Sequence, residues 1–321
     1  MRYSYYPGCS LERSASSYHI SAMEVAKPFG VEFAEIDDWN CCGATEYIAL
    51  NKLAAYALVA RNLTIAKSQP NSHTLVAPCS ACFLNLSKVE QYLCEDESLR
   101  AKTNVALEAG GMHYTAGGLK VRHLLDIFYN DVGLEAIAEK VVKPLKGLRI
   151  APYYGCMIVR PGFQGGFDDY EQPVALDKLM KVLGANVVDF PLKASCCGGH
   201  MTQISEPVAM DLLNRLLKNA ADYEADILVT LCPMCQLNLD AYQGDVNRYF
   251  KTKYHIPVLY FTQVMGLAMG MSAQAMGIGK EFVDARPALA KVGVEVPEPE
   301  PAKKKRPSKE ELPMPRMPEK E

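Results

Sequence analysis

The chain has 321 residues, 49% hydrophobic and 22% charged, enough to bury a core in one large or two ordinary domains. A net charge of −3 and an isoelectric point near 6.1 leave no basic balance with which to draw nucleic acid through phosphate contacts. The opening MRYSYYPGCS lacks the apolar run of a secretory signal, so the expected location is cytoplasmic, with any membrane association made through partners.

In chain order, RYSYY (2–6) reads as a strand, 15–28 as a helix, VEFAEI (31–36) as a strand and 45–68 as a helix. HTLVA (73–77) is then a strand, a helix runs from about 80 to 93, and a further element falls at 119–129 (LKVRHLLDIFY). The second half repeats the order: LRIAPYY (148–154), helix 173–183, NVVDF (186–190), helix 201–223, DILVTL (226–231), helix 233–250, and VLYFTQVMGLAMG (258–270). Strands alternating with helices predict an α/β fold of two repeated Rossmann-like units with parallel sheets. The expected divisions are 1–145, 146–293 and a tail, 294–321.

Ile256 to Gly279 carries no charge and is long enough to span about 30 Å of hydrocarbon. Pro257, Thr262, Gln263, Ser272, Gln274 and four glycines interrupt it, which favours a buried strand and helix over a transmembrane span. The tail holds seven prolines in residues 295–321 and a KKKR run at 303–306, a composition that predicts disorder with a solvated charge cluster.

The repeat is clearest in the cysteines. Cys9, Cys41–Cys42, Cys79 and Cys82 are echoed by Cys156, Cys196–Cys197, Cys232 and Cys235. YYPGC (5–9) matches YYGC (153–156), NCCGA (40–44) matches SCCGG (195–199), and APCSAC (77–82) matches LCPMC (231–235). The offsets of 147, 155 and 153 residues place insertions between motifs and leave each motif intact, the mark of a duplication. Every motif follows a predicted strand, and an open parallel sheet gathers such loops along the carboxyl edge. Five sulfurs of each half can therefore meet.

In reducing surroundings eleven cysteines suit metal or redox work better than disulfides. Iron–sulfur clusters take cysteine thiolates, usually four. A fifth in each half, as part of a vicinal pair followed by Gly43 or Gly198, suits neighbouring metal atoms or a bridge. The C-x-x-C elements are placed to begin helices, with Pro78 and Pro233 beside them, where free N–H groups stabilise thiolates. Zinc on four cysteines remains open, chiefly at the N-terminal site, but idles one sulfur per half. A thioredoxin-like use of CPMC (232–235) explains two cysteines and leaves eight.

Cys94 has no counterpart and reads as an ordinary thiol. His200 could donate toward a cluster and Lys193 could offset its charge, although a loop histidine and a surface lysine are the plainer readings. His73 and His255 precede strands and read as structural. GGMHYTAGG (110–118) is no phosphate loop, and no dinucleotide fingerprint or Walker lysine stands elsewhere, so electrons are expected from a partner.

C…CCG…C-x-x-C twice over, with the SYYPGC opening and LYFTQVMGLAMG (259–270), resembles the CCG cysteine-rich domains of the heterodisulfide reductase B-subunit family across about residues 1–280. The resemblance implies two non-cubane 4Fe-4S clusters, one on Cys9, Cys41, Cys42, Cys79 and Cys82 and one on Cys156, Cys196, Cys197, Cys232 and Cys235. It also implies a heterodisulfide reductase-type complex with two partners, one small and ferredoxin-like, the other flavin-containing. In methanogens the related protein cleaves the mixed disulfide of coenzymes M and B between such clusters. Three uses follow: reduction or reversible formation of a small disulfide, electron relay between a flavoprotein and a quinone or other acceptor, or a zinc-stabilised scaffold.

Overall fold

The computed structural model describes residues 1–44, 46–69, 73–160 and 167–296. The expected tail lies outside the described residues from 297 onward. Strands β1 (Arg2–Tyr5), β2 (Glu32–Glu35), β3 (Thr74–Ala77) and β4 (Lys120–His123) form a parallel sheet in the order β2-β1-β3-β4. Strands β5 (Arg149–Tyr153), β6 (Asn186–Val187), β7 (Ile227–Thr230) and β8 (Val258–Tyr260) repeat it as β6-β5-β7-β8. The two α/β units with parallel sheets are thus present. Leu75, Val76 and Ala77, like Ile227, Leu228 and Val229, are fully buried, because parallel strands covered on both faces need unbroken apolar runs. The strand order reverses between β1 and β3, and between β5 and β7, so the loops after these strands open on one crevice.

Several expected helices divide. The span 45–68 becomes Glu46–Leu50 and Lys52–Ser68, because Asn51 is extended and its side chain caps the Ala54 N–H at 3.0 Å. The span 201–223 breaks at extended Ser205, and Glu206–Asp222 starts afresh with Pro207 in its first turn. The span 233–250 divides at Tyr242 into Pro233–Ala241 and Gln243–Phe250. Helix Glu97–Glu108 was not expected, and Asp96 caps it at 2.9 Å from the Leu99 N–H. The uncharged stretch is β8 followed by the wholly buried helix Phe261–Ala268. Among the described residues no helix is long and apolar enough to cross a membrane.

Helix Ser16–Ala26 of the first half packs along Phe261–Ala268 of the second. Tyr18 stacks on Tyr260 with ring centroids 4.3 Å apart and planes 4° from parallel. The Tyr18 hydroxyl lies 3.2 Å from the Pro78 carbonyl and 3.4 Å from the Leu231 carbonyl. Those carbonyls directly precede Cys79 and Cys232, so one phenol ties the equivalent loops of both halves. The Ser21 and Thr262 hydroxyls meet at 2.6 Å beside it.

Asp240, on Pro233–Ala241, fastens the segment after Gly279 by accepting from the Phe282 N–H at 2.6 Å and the Val283 N–H at 3.4 Å. Burial pushes its carboxyl from the ordinary 3.8 up to about 6. The folded chain then binds this proton more tightly than the unfolded chain, so the stability it contributes is complete below about pH 4 and declines as pH rises to 6. Two units correspond to a fall of up to about 3 kcal/mol. Thermal unfolding against pH is expected to show this slope in the native protein and to lose it in Asp240→Asn.

Candidate metal centre

Cys79 and Cys232 occupy the N-caps of helices Ser80–Glu95 and Pro233–Ala241, as expected for the two C-x-x-C elements. In the first half the Cys9 and Cys41 sulfurs are 3.7 Å apart and those of Cys42 and Cys82 are 3.4 Å apart. Contacts of Cys41 with Cys42 and of Cys79 with Cys82 complete the string. In the second half Cys197 and Cys235 are 3.5 Å apart, Cys156 bonds Cys196, and Cys232 bonds Cys235. Cys79 and Cys232 touch across the interface, joining one set to the other. Thiolates about 2.3 Å from a tetrahedral metal stand roughly 3.8 Å apart, so this spacing suits sulfurs that share metal atoms. Among the described residues no three Cys, His, Asp or Glu side chains group as the ligands of a single ion. The donors are instead strung as neighbouring pairs.

The structure brings together all ten expected cysteines. Cys9, Cys41 and Cys196 are exposed and Cys156 is half-buried, whereas Cys42, Cys79, Cys82, Cys197, Cys232 and Cys235 are buried. Each set is therefore open at one end and closed at its C-x-x-C end, and the closed ends adjoin. The first set opens onto a surface hollow of about 550 Å³ rimmed by Glu12, Glu35, Asp37 and Asp38. A smaller hollow beside Phe282 and Arg286 lies apart from the thiols.

Backbone and thiol donors sort the charges along the string. Cys42 is held well below the usual thiol range by the Cys41 and Cys82 thiols, aided by the Ala44 N–H and Asn85. Cys232 is held well below it by Cys235 and Cys79, aided by the Cys235 and Met234 N–H groups at its helix start. Cys196 falls to about 6 through the Cys156 thiol, with the Gly198 N–H assisting. Cys82 and Cys235, at the buried ends of the two sets, are pushed up by the sulfurs beside them and by burial.

Three further pairs around the thiols escaped the sequence reading, and all obey the repeat. Tyr6 donates to the Asn40 carbonyl at 2.8 Å and Tyr153 to the Ser195 carbonyl at 2.7 Å, each fixing the residue before a vicinal pair. Asn85 donates to the Ala44 carbonyl and lies 3.9 Å from the Cys42 sulfur. Asn238 likewise donates to the Gly199 carbonyl at 2.7 Å and lies 3.7 Å from the Cys197 sulfur. A Cβ added at Gly8 would meet the Cys82 sulfur at 2.9 Å, and one at Gly155 the Cys235 sulfur at 2.9 Å. Both glycines also have positive φ, +74° and +69°. Carrying the offsets of 147 and 153 residues past the cysteines would have found every one of these pairs.

The remaining candidates lie at or beyond the margin. Cys94 is an exposed thiol accepting from the Gly117 N–H at 3.2 Å, remote from both sets in the fold. His200 is half-buried at the start of Met201–Ile204. His73 and His255 are exposed. Lys193 departs from a solvated lysine: its side chain is 16% exposed and pairs with Asp177 at 3.1 Å. The 110–118 loop carries buried Tyr114, whose hydroxyl donates to Glu90 at 2.8 Å, a structural contact.

The family described as CCG: Cysteine-rich domain matches residues 3–87 and again 150–240. The 8-methylmenaquinol:fumarate reductase membrane anchor subunit of Wolinella succinogenes is 36% identical over 283 residues, covering 88% of this chain and 97% of that one. The ferredoxin:CoB-CoM heterodisulfide reductase B subunit of Methanosarcina mazei is 31% identical over 265 residues, covering 82% and 87%. A crystal structure of a hypothetical protein from Helicobacter pylori superposes with a TM-score of 0.69 at 14% identity. That match covers 88% of this chain and 52% of the other, about half its length, and at such identity it bears on the fold alone. Through both of its halves the chain belongs to the CCG cysteine-rich domain family, together with the B subunit of heterodisulfide reductase.

Proposed function

We propose that this chain is an iron–sulfur electron-transfer subunit of an oxidoreductase complex, with one non-cubane 4Fe-4S cluster per half. Cys9, Cys41, Cys42, Cys79 and Cys82 would hold one cluster, and Cys156, Cys196, Cys197, Cys232 and Cys235 the other. The observation that carries this reading is the string of thiols at 3.4–3.7 Å, continued from half to half by the Cys79–Cys232 contact. The donor set fits the group: thiolates only, five per half, with N–H donors and matched asparagines on the inner sulfurs. Bound clusters supply one-electron transfers at this site.

The chain's own residues set the route. Tyr6 and Tyr153 hold the vicinal pairs in place, and the buried closed ends exclude water where the halves adjoin. The exposed Cys9 and Cys41, within an acidic rim, form the end a partner can reach. The partners this reading implies are a ferredoxin-like protein and a flavin-containing one. Membrane association would come through such a partner. Zinc fits less well, because the sulfurs are strung in pairs and the Tyr, Gly and Asn supports of the two sets match.

The finer reading is that the clusters reduce, or reversibly form, a small disulfide, and the 31% identity to the heterodisulfide reductase B subunit favours it. Relay without a substrate of its own is favoured by the 36% identity to the quinol:fumarate reductase subunit. Anaerobic purification is expected to give about eight iron and eight sulfide per chain. Electron paramagnetic resonance then separates the two uses: signals that change on adding a disulfide support disulfide chemistry, and signals that do not support relay. Stoichiometric zinc without iron would overturn both.

A second prediction tests the ligand sets. Gly8→Ala is expected to remove about half the iron with loss of one cluster's signal, and Gly155→Ala the other half, through the sulfur clash and the positive φ. Gly118, with φ +80° and nothing within 4 Å of an added Cβ, is the control. Gly118→Ala should cost about 1 kcal/mol of stability and leave the iron content whole.

A further inference from the structure

Cys79 and Cys232 meet across the interface, and each follows a buried carbonyl, that of Pro78 or that of Leu231. Strand β3 ends one residue before Pro78 and β7 one residue before Leu231, so both carbonyls lie past the last rung of their sheets. The Tyr18 hydroxyl is within hydrogen-bond distance of both, at 3.2 and 3.4 Å. A hydroxyl carries one hydrogen, so the two carbonyls share it. The His123 ring faces the same carbonyls, but its Nε2 has neither of them at full hydrogen-bond distance. Among the described residues, Tyr18 is thus the side chain that binds the loops of both innermost cysteines.

Tyr18 belongs to the first half, yet the second half fixes where it stands. Its ring lies flat on Tyr260 and meets Phe261 edge-on at 6.0 Å. One turn further along the helix, the Ser21 hydroxyl meets that of Thr262 at 2.6 Å. On the preceding residue, Ser17 runs so close to Gly277 that a Cβ added to the glycine would stand 3.1 Å from the Ser17 Cα. Contacts on three sides therefore hold this turn of helix Ser16–Ala26 and stop the phenol from sliding along the interface. The helix that follows the first strand of the second sheet, Ala175–Val182, contains no aromatic residue, so no second phenol mirrors the arrangement.

We infer that Tyr18 is a positioning residue: by holding the loops of Cys79 and Cys232 on one hydroxyl, it sets the spacing of the two clusters and with it their electronic coupling. This rests on the cluster reading above and goes beyond it by assigning the link between the clusters to a side chain that binds neither. A buried carbonyl without a donor is costly, so removing the hydroxyl frees both loops to shift until each finds another donor. Each loop carries the innermost thiolate of its set, and the shift separates the ends at which the two sets adjoin. Coupling between two unpaired spins falls steeply with their separation, which makes it a sensitive measure of this spacing. Stability and iron content respond to many buried groups, whereas the coupling responds to the one that ties the two loops together.

The test uses the full chain, loaded anaerobically and poised so that both clusters are paramagnetic. Native protein is expected to show electron paramagnetic resonance signals split by the neighbouring spin. Tyr18→Phe keeps the ring stack and loses the hydroxyl; it is expected to hold its iron, about eight per chain, while the splitting collapses to two uncoupled signals. Tyr260→Phe removes a buried hydroxyl from the same stack, one that bonds Gln236 at 3.5 Å instead, and is expected to leave the splitting whole. If Tyr18→Phe fails to load, Thr262→Val decides: loss of the Ser21 bond releases the turn that carries Tyr18, and the splitting is expected to narrow. Loaded native protein without splitting, loaded Tyr18→Phe or Thr262→Val with the native splitting, or an equal loss in Tyr260→Phe would overturn this inference alone. Native protein that binds no iron would overturn the cluster reading and this inference with it.

Discussion

Crowding of sulfur is the constraint on which the structure depends. Two thiolates 3.5 Å apart repel by about 5 kcal/mol even at an effective dielectric of 20, more than one ordinary hydrogen bond returns. Sulfurs stand 3.4 and 3.7 Å apart in the first set and 3.5 Å apart in the second, so the fold has to gather charge-bearing groups and supply what offsets them. Backbone N–H groups at helix starts and after the vicinal pairs provide part of this, and asparagine amides provide more. Bound metal cations would provide the largest share. Tyr6 and Tyr153 meet the same demand from the other direction. Burial and the surrounding thiolates push both phenols up, so they remain neutral while bracing the loops.

Much of this was legible because cysteine spacing and strand periodicity are both local. The offsets between Cys9 and Cys156 and between Cys79 and Cys232 located the sites, and alternating strands and helices located the sheet edges that join them. Capping was less legible. Asn51, Ser205 and Tyr242 each interrupt an otherwise helical pattern, and whether a polar residue caps or continues a helix depends on its backbone, which composition does not reveal. Asn85 and Asn238 went unnoticed for a different reason. An asparagine inside a helix is unremarkable until the loop it serves is known to lie above it.

The halves differ beside the outer end of each set. Asp38 and Lys193 are equivalents 155 residues apart, the former paired with Arg61 and the latter with Asp177. The first set therefore opens within acidic surroundings, whereas the corresponding corner of the second is cationic and paired inward. Duplication kept the sulfur arrangement and the Tyr, Gly and Asn supports, and let the surroundings drift.

The flat stack of Tyr18 on Tyr260 has a consequence for origins. Tyr18, Phe261 and Tyr260 are sealed from water by the opposite half, and the hydroxyl of Tyr18 spans the Pro78 and Leu231 carbonyls of both. A half standing alone would expose this aromatic face and leave its innermost cysteine, Cys79 or Cys232, uncovered. A single-copy ancestor would therefore have needed a twin pressed against the same face, and fusing two genes would have turned an encounter between molecules into a permanent neighbourhood.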